Sequence, residues 1–211
     1  MKRKGVLVVV SGFSGAGKGT LMNRLLDEYD EYALSISMTT REPRVGEQDG
    51  KEYFFVSKDE FEAKISQDGF IEYAQYCGNY YGTPKSYVQQ QMEAGKDVIL
   101  EIEIQGALKV KEQFPEALLL FVTPPDMQEL RRRLVGRGTE TPEVIDARLA
   151  RAAEEAEGIE NYDYLVINDD LETCVTQMHT LIQRAHDATF RNRDFIKNIR
   201  TQLKGLSKGE K

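Results

Sequence analysis

The chain has 211 residues, of which 40% are hydrophobic and 30% charged, a balance typical of one soluble globular domain. Its 35 acidic residues outnumber the 28 basic ones, for a net charge of −7, which argues against a nucleic-acid or membrane-surface binder but allows a local basic pocket for a phosphorylated small molecule. Two cysteines and two histidines are too few for a disulfide-stapled secreted domain or a histidine-based metal site. The apolar run 6–10 is shorter than the roughly 7–15 residues of a signal sequence, so we expect a cytoplasmic protein.

Strands and helices alternate along the chain. The β-branched run Val6–Val10 predicts a strand buried on both faces of a parallel sheet, and a glycine-rich turn separates it from a predicted helix at Thr20–Tyr29. Ser57-Lys58-Asp59-Glu60 is a capping box that predicts a helix to about Ser66, and Thr83-Pro84 predicts the N-cap and first-turn proline of a helix ending near Gly95. Further strands are predicted at Asp97–Ile104, Ala117–Val122 and Tyr164–Ile167, and further helices at Gly106–Gln113, Asp126–Leu134, Pro142–Glu157 and Leu171–Arg191 or beyond. This alternation favours an α/β fold with a mainly parallel sheet.

Two stretches interrupt the alternation and predict additions to one core. Residues 35–95 are rich in Tyr, Arg and Glu with short strand-like pieces, which indicates an inserted lobe. Residues 126–157 hold an arginine-dense helix, a break at 136–138 and a second helix, which indicates a mobile lid. The core of the single domain is then 1–34, 96–125 and 158–191, and the tail 192–211 is expected to fray.

The most specific local motif is a glycine-rich turn between the first predicted strand and helix, Gly12-Phe13-Ser14-Gly15-Ala16-Gly17-Lys18-Gly19-Thr20. Glycines let successive backbone N–H groups turn toward an anion, the helix N-terminus adds partial positive charge, and Lys18 adds a full charge for the outer phosphates. Gly19 stands where the strict motif has Ser or Thr, so it stays open whether Thr20 supplies the metal-binding hydroxyl. The alternative is a glycine-rich turn without a ligand.

A phosphate-binding loop alone fits a GTPase, an ATPase motor or a small-molecule kinase. A GTPase would carry Asn-Lys-x-Asp, which the sequence lacks. Six further segments, in chain order, resemble those of guanylate kinases of the bacterial soluble type: Ser35–Glu47, Gly50–Phe55, Phe70–Ala74, Gly78–Thr83, Arg137–Thr141 and Val166–Asp170. The resemblance covers most of the chain, to about residue 170. It implies a P-loop nucleoside-monophosphate-kinase fold and the reaction MgATP + GMP ⇌ ADP + GDP, with dGMP as a further acceptor.

The expected acceptor site combines arginines, tyrosines and one carboxylate. Two guanidiniums around Pro43 can clamp a phosphate bidentately, although solvated surface arginines would show the same spacing. Glu72 lies in an apolar, aromatic strand, where a carboxylate can accept from guanine N1–H and the 2-amino group together; an edge carboxylate facing water is the alternative. The resemblance implies GMP contacts by Ser37, Arg41, Arg44, Glu47, Tyr53, Glu72, Tyr81, Thr83 and Glu103.

Glu101 and Glu103 are predicted to share one face near the C-terminal end of a strand, where parallel sheets bind ligands. Buried carboxylates there are costly unless they are paired or bind a metal. The family commonly shows aspartates at these positions, so the division of roles is open. The resemblance implies that Glu103 faces guanine and that Glu101, with Thr20, binds Mg²⁺ directly or through water.

Arginines of the predicted lid are candidates to stabilise the charge that develops on a transferred phosphoryl group. The expected pair is Arg137 and Arg148, with Arg133 assisting, while ion pairs with neighbouring glutamates would account for the other arginines. The resemblance places Asn168 near the adenine of ATP. The expected catalytic residues are therefore Lys18, Arg41, Arg137 and Arg148, and the ATP site is the loop 12–20 with Arg133, Arg137 and Asn168.

Two other functions are compatible with parts of this sequence. A guanylate-kinase-like interaction module would have a degraded ATP site, whereas this chain keeps Gly17-Lys18 and the lid arginines. A kinase for a different nucleotide is suggested by Gly17-Lys18-Gly19-Thr20, which also resembles adenylate kinases, but Glu72 favours guanine. The oligomeric state is left open.

Overall fold

The computed structural model describes residues 3–136, 138 and 141–207. Its elements run in this chain order: β1 (Leu7–Gly12), α1 (Lys18–Glu28), β2 (Tyr32–Leu34), β3 (Met38–Thr39), β4 (Phe54–Phe55), α2 (Lys58–Ser66), β5 (Phe70–Tyr76), β6 (Asn79–Pro84), α3 (Lys85–Glu93), β7 (Asp97–Glu101), α4 (Ile104–Gln113), β8 (Leu118–Thr123), α5 (Met127–Gly136), α6 (Pro142–Ala156), β9 (Tyr164–Ile167), α7 (Leu171–Ala185) and α8 (Arg193–Ser207). Short 3₁₀ turns occupy Ile159–Asn161 and Thr189–Arg191.

The central sheet has five parallel strands in the order β2-β7-β1-β8-β9. Its middle strand β1 is apolar and buried on both faces, because helices cover each side. Val8 and Val10 pack with side chains of α1 and α7, whereas Leu7 and Val9 pack with α3 and α4. This is the helix-flanked parallel sheet that the alternation of strands and helices predicted.

A second, four-stranded sheet lies between β2 and β7 in the chain, with the order β4-β3-β6-β5. Its β3–β4 pair is parallel and its other pairs are antiparallel. Phe61 of α2 packs in its core, stacked on Phe70 at 4.3 Å and on Tyr80 at 5.1 Å between ring centroids. The capping box of α2 is confirmed: Ser57 Oγ accepts from Glu60 N, and the Glu60 carboxylate accepts from Ser57 N.

The prediction of a strand from Asp97 to Ile104 was wrong at its C-terminal end. The strand stops at Glu101, and Glu103 is the N-cap of α4 with a backbone φ of −72° and ψ of 160°. Ile102 N still bonds to Val10 O, and Ile102 O accepts from Ser11 Oγ, before the chain turns into the helix. Glu101 and Glu103 therefore do not share one face of a strand.

Three other boundaries also differ from the prediction. The helix predicted at Leu171–Arg191 or beyond ends at Ala185, and a 3₁₀ turn follows at Thr189–Arg191. Thr83 and Pro84 end β6, and Pro84 itself is the N-cap of α3, so Thr83 does not cap that helix. Of the tail 192–211, which was expected to fray, Arg193–Ser207 form α8, because their apolar residues recur at helical spacing, and residues 208–211 lie outside the described residues. None of the helices in the described ranges combines the length and apolarity needed to cross a bilayer.

Candidate active site

The phosphate-binding loop lies where β1 ends and α1 begins. Gly15 and Gly17 have φ of +95° and +89°, the left-handed region that glycine tolerates best. Lys18 Nζ donates to Gly12 O at 2.8 Å and to Phe13 O at 3.3 Å, which places its charge over the loop. Phe13 is buried against Phe121, with ring centroids 5.1 Å apart, and so anchors the loop to the sheet. The backbone thus has the curvature that an anion-binding loop requires.

Asn168 and Arg133 hold this loop from outside. Asn168 is buried, and its Nδ2 donates to Ala16 O at 2.8 Å. Arg133 of α5 donates to Ala16 O at 3.2 Å and to Asn168 O at 2.8 Å. Both side chains, predicted to contact ATP, therefore contact the loop that would carry it.

Glu129 completes this network, although its sequence position alone did not indicate a role at the site. It accepts from Arg133 Nε at 2.6 Å and from Arg132 at 2.6 and 2.7 Å. These hydrogen bonds lower the pKa of Glu129 to about 2, and those from Arg132 contribute most to the shift. The i, i+4 spacing of Glu129 and Arg133 was the sequence feature that could have predicted this ion pair on α5.

A cleft of about 670 Å³ opens beside the loop, between Lys18, Glu101 and α6. An adjoining cavity of about 290 Å³ is lined by the loop, Thr20 and Glu101. The Glu101 carboxylate lies 3.9 Å from Lys18 Nζ. Burial raises the pKa of Glu101, and the Lys18 charge opposes that shift. Among the described residues, no group of three or more His, Cys, Asp or Glu could hold a metal ion.

The arginines of α6 line the cleft. Arg148 donates to Ser14 Oγ of the phosphate-binding loop. Arg151 pairs with Glu103 at 2.8 Å and with Glu155 at 3.1 Å. Glu103, predicted to face guanine, is thus paired with an arginine of α6. The predicted site residue Arg137 lies outside the described residues.

A second group of predicted residues lies on the four-stranded sheet and its loop. Arg41 forms a bidentate pair with Glu47, with both N–O distances 2.7 Å. Its guanidinium carbon lies 4.9 Å from the ring centroid of Tyr53, which in turn lies 6.1 Å from that of Tyr81. The Arg41 hydrogen bonds and the Arg44 backbone N–H lower the pKa of Glu47 to about 2. Arg44 itself has an exposed side chain.

Glu72 lies on the edge strand β5 and faces β6. Its carboxylate accepts from the buried Thr83 Oγ1 at 2.9 Å. Burial raises the pKa of Glu72, and the Thr83 hydrogen bonds offset part of that shift. Ser37, the other predicted hydroxyl, precedes β3, and its carbonyl accepts from Phe54 N at 2.9 Å. The carboxylate of half-buried Glu72 can thus accept further hydrogen bonds besides the one from Thr83.

The predicted residues therefore form two groups. Lys18, Glu101, Arg133, Arg148 and Asn168 gather at the end of the parallel sheet. Arg41, Glu47, Tyr53, Glu72 and Thr83 belong to the four-stranded sheet and its loop. One group has the features of a phosphate-donor site, and the other combines an arginine, held by Glu47, with a half-buried carboxylate.

Comparison with known proteins identifies the family that shares this arrangement. The sequence profile described as "Guanylate kinase" matches residues 4–185. The guanylate kinase of Latilactobacillus sakei subsp. sakei is 51% identical over 187 residues, covering 88% of this chain and 92% of that protein. The guanylate kinase of Caldanaerobacter subterraneus subsp. tengcongensis is 48% identical over 202 residues, covering 96% and 98%.

A solved structure points to the same family as these two related sequences. The crystal structure of guanylate kinase from Anaplasma phagocytophilum superposes with a TM-score of 0.68 at 34% identity, covering 90% of this chain and 91% of that one. This chain belongs to the guanylate kinase family.

Proposed function

We propose that this chain transfers the terminal phosphoryl group of ATP to GMP, forming ADP and GDP, with dGMP as a further acceptor. The observation that carries the acceptor assignment is the Glu72–Thr83 pair, a half-buried carboxylate hydrogen-bonded to a buried hydroxyl on the second sheet. Guanine presents N1–H and a 2-amino group side by side, and one carboxylate can accept from both. Adenine lacks that pair of donors, so Glu72 favours GMP over AMP.

The donor nucleotide binds at the phosphate-binding loop, residues 12–20. Backbone N–H groups around Gly15 and Gly17 face the phosphates, and Lys18 moves from the loop carbonyls to the phosphate oxygens when they arrive. Arg133 and Asn168 keep the loop in place through Ala16 O. We assign these two residues a positioning role in addition to the proposed contacts with ATP.

The acceptor phosphate binds at Arg41, Arg44, Tyr53 and Tyr81. Glu47 orients Arg41 through its bidentate pair, and the Tyr53 ring lies beside the guanidinium. An arginine held in one orientation loses less conformational entropy when it binds phosphate. Ser37, Thr83 and Glu103 complete the proposed guanosine contacts.

Transfer requires positioning and charge stabilisation rather than a side-chain base, because the GMP phosphate is already an anionic nucleophile. In an in-line displacement, the acceptor oxygen forms a bond to the γ-phosphorus as the bond to the β–γ bridging oxygen of ATP breaks. Lys18, Arg41, Arg137 and Arg148 balance the charge on the transferred group. Residues 35–95 act as the GMP-binding lobe and 126–157 as a lid that excludes water.

Mg²⁺ is the proposed cofactor, and the donor set fits it. The Thr20 hydroxyl and the Glu101 carboxylate line one cavity with Lys18, and hard oxygen ligands suit this cation. When bound, the ion neutralises charge on the β- and γ-phosphates. Glu101 would hold it directly or through water.

The decisive experiment measures ADP release from MgATP, coupled to NADH oxidation, with GMP, dGMP, AMP, UMP or CMP as the acceptor. We expect rapid turnover with GMP and little with AMP. Turnover with AMP would retain the fold and contradict the role of Glu72. A folded protein that binds GMP without turnover with any acceptor would instead favour an interaction module.

A further inference from the structure

A second cavity, of about 330 Å³, lies at the opposite end of the parallel sheet from the phosphate-binding loop. Leu7, the first residue of β1, and Ala117, just before β8, line it, whereas the loop follows the last residue of β1. Side chains of β5 and α3 close it on another side. The cavity therefore lies where the four-stranded sheet meets the parallel sheet, and none of the proposed substrate contacts reaches it.

The wall of this cavity is mainly apolar. Leu7, Ile71, Val88 and Ala117 are each buried and line it, and Met92 lies beside them. Its volume is near the lower limit, about 300 Å³, of the clefts that bind small molecules. An apolar wall of this size suits a hydrocarbon chain of several carbons rather than a nucleotide.

Arg191 supplies a cation at the edge of this wall. One guanidinium N–H donates to Glu116 O. Among the described residues, Arg191 Nε is one of two buried side-chain N or O atoms without a hydrogen-bond partner. Burial lowers the pKa of Arg191. Arg191 lines the cavity, so its guanidinium places a positive charge beside the apolar wall, and an anionic acceptor would balance that charge.

The other charged residues of the wall are largely matched. Lys85 pairs with Asp68 at 2.6 Å, and Glu116 lies 3.9 Å from Arg193. Lys4, at the exposed edge, adds a further positive charge. The negative charge of Glu116 would repel a ligand with several negative charges, so the charges of the wall favour a ligand with a single negative charge near Arg191.

We propose that this cavity binds an apolar monocarboxylate of fatty-acid type, with its carboxylate accepting from Arg191 and its hydrocarbon chain against Leu7, Ile71 and Val88. The site is separate from the substrate site, and its occupancy does not depend on the proposed reaction. Binding is therefore the readout.

The test is calorimetric titration of the full chain with octanoate below its micelle concentration. We expect saturable binding of one molecule, and at least tenfold weaker binding of 1-octanol, which lacks the charge. A non-hydrolysable ATP analogue alone should leave octanoate binding unchanged, because the phosphate-binding loop lies at the other end of the parallel sheet, and inorganic phosphate should not compete. Absence of saturable octanoate binding, or its loss when that analogue is bound, would overturn the proposal.

Matched variants locate the bound probe. Gln89→Trp places a bulky ring at an exposed position of the cavity wall, and it should abolish binding; Gln90→Trp, on the same helix but outside the wall, should not. Arg191→Gln should weaken binding at least tenfold. Phe195→Ser, on the exposed apolar face of α8, should have no effect. Binding that survives both Gln89→Trp and Arg191→Gln, or that is lost in Phe195→Ser, would contradict the site.

Discussion

Gly17 is a loop residue whose replacement by a larger residue the surrounding structure resists. Its φ is +89°, and a Cβ there would lie 2.5 Å from Asn168 Nδ2, which is itself bonded to Ala16 O. We expect Gly17→Ala to lower the free energy of unfolding by about 1–3 kcal/mol, because the new side chain is strained and displaces Asn168. Urea unfolding measures this change.

Gly19 provides the matched control, since a Cβ at this position meets nothing within 4 Å. It lies in the first turn of α1. Gly19→Ala should therefore leave stability unchanged or raise it by up to about 1 kcal/mol. A Gly17→Ala protein as stable as the parent would show that the loop tolerates a side chain there.

Glu72 is the residue expected to separate GMP use from ATP use. Replacing it by Gln removes a charge-assisted acceptor and presents an N–H group toward the guanine donors, so the KM for GMP should rise by about 10- to 100-fold. The KM for ATP should stay within about twofold, because Glu72 lies on the second sheet. Steady-state kinetics with each substrate varied decide the matter; equal KM values for GMP in both proteins would contradict the assignment.

The pH dependence of GMP use should follow from the same carboxylate. Burial raises the pKa of Glu72, so it protonates at a higher pH than an exposed glutamate would. Only the ionised form accepts from both guanine donors, and kcat/KM for GMP should therefore fall as the pH drops through that raised pKa. The Glu72→Gln protein should lack this part of the profile. If the pH profile of kcat/KM for GMP were the same in the parent and the Glu72→Gln protein, the group that titrates would not be Glu72.

At the scale of elements, α5 acts on the phosphate-binding loop through Arg133. The chain Glu129–Arg133–Ala16 joins the helix to the loop. Arg133→Gln should raise the KM for ATP by about tenfold and leave the KM for GMP unchanged, because only the donor loop loses a partner. Arg132→Gln is the control: Arg132 pairs with the same Glu129 but has an exposed side chain. Equal effects of the two substitutions on the KM for ATP would exclude the positioning role.

Strand and helix periodicity predicted the order of the elements well, but it predicted their boundaries less accurately. Apolar runs such as Val6–Val10 are local signals, and β1 lies within one or two residues of that prediction. The strand assigned to Ile102–Ile104 was wrong, because alternation of Glu and Ile cannot show that Glu103 caps a helix. The short strand β2 was not predicted, since three residues are too few for a period.

The site was predictable where one motif holds all of its residues. The loop 12–20 is contiguous, so its position at the end of β1 followed from the sequence. The contacts of Arg133 with Ala16 and of Arg151 with Glu103 join residues 117 and 48 positions apart. Such pairs depend on how α5 and α6 pack against the sheet, which a single sequence does not reveal. The roles of the individual site residues stay predictions.

At the scale of the whole molecule, the two sheets are joined through two chain crossings. One is the segment 35–37 between β2 and β3, and the other is 94–96 between α3 and β7. Donor-site residues gather at one end of the parallel sheet and on its helices, and most of the proposed acceptor residues belong to the four-stranded sheet and its loop. Because in-line transfer needs the two phosphates in contact, substrates should draw the four-stranded sheet toward the phosphate-binding loop.

Small-angle scattering can test this closure on the intact chain. We expect the radius of gyration to fall when GMP and a non-hydrolysable ATP analogue are both bound, and to change less with either nucleotide alone, since each alone occupies one sheet. The Glu72→Gln protein at the same GMP concentration should remain in the open form, because its acceptor site is only partly filled. Identical scattering profiles with and without both nucleotides, at concentrations where calorimetry shows them bound, would mean that the two sheets keep their relative positions and that closure is confined to side chains.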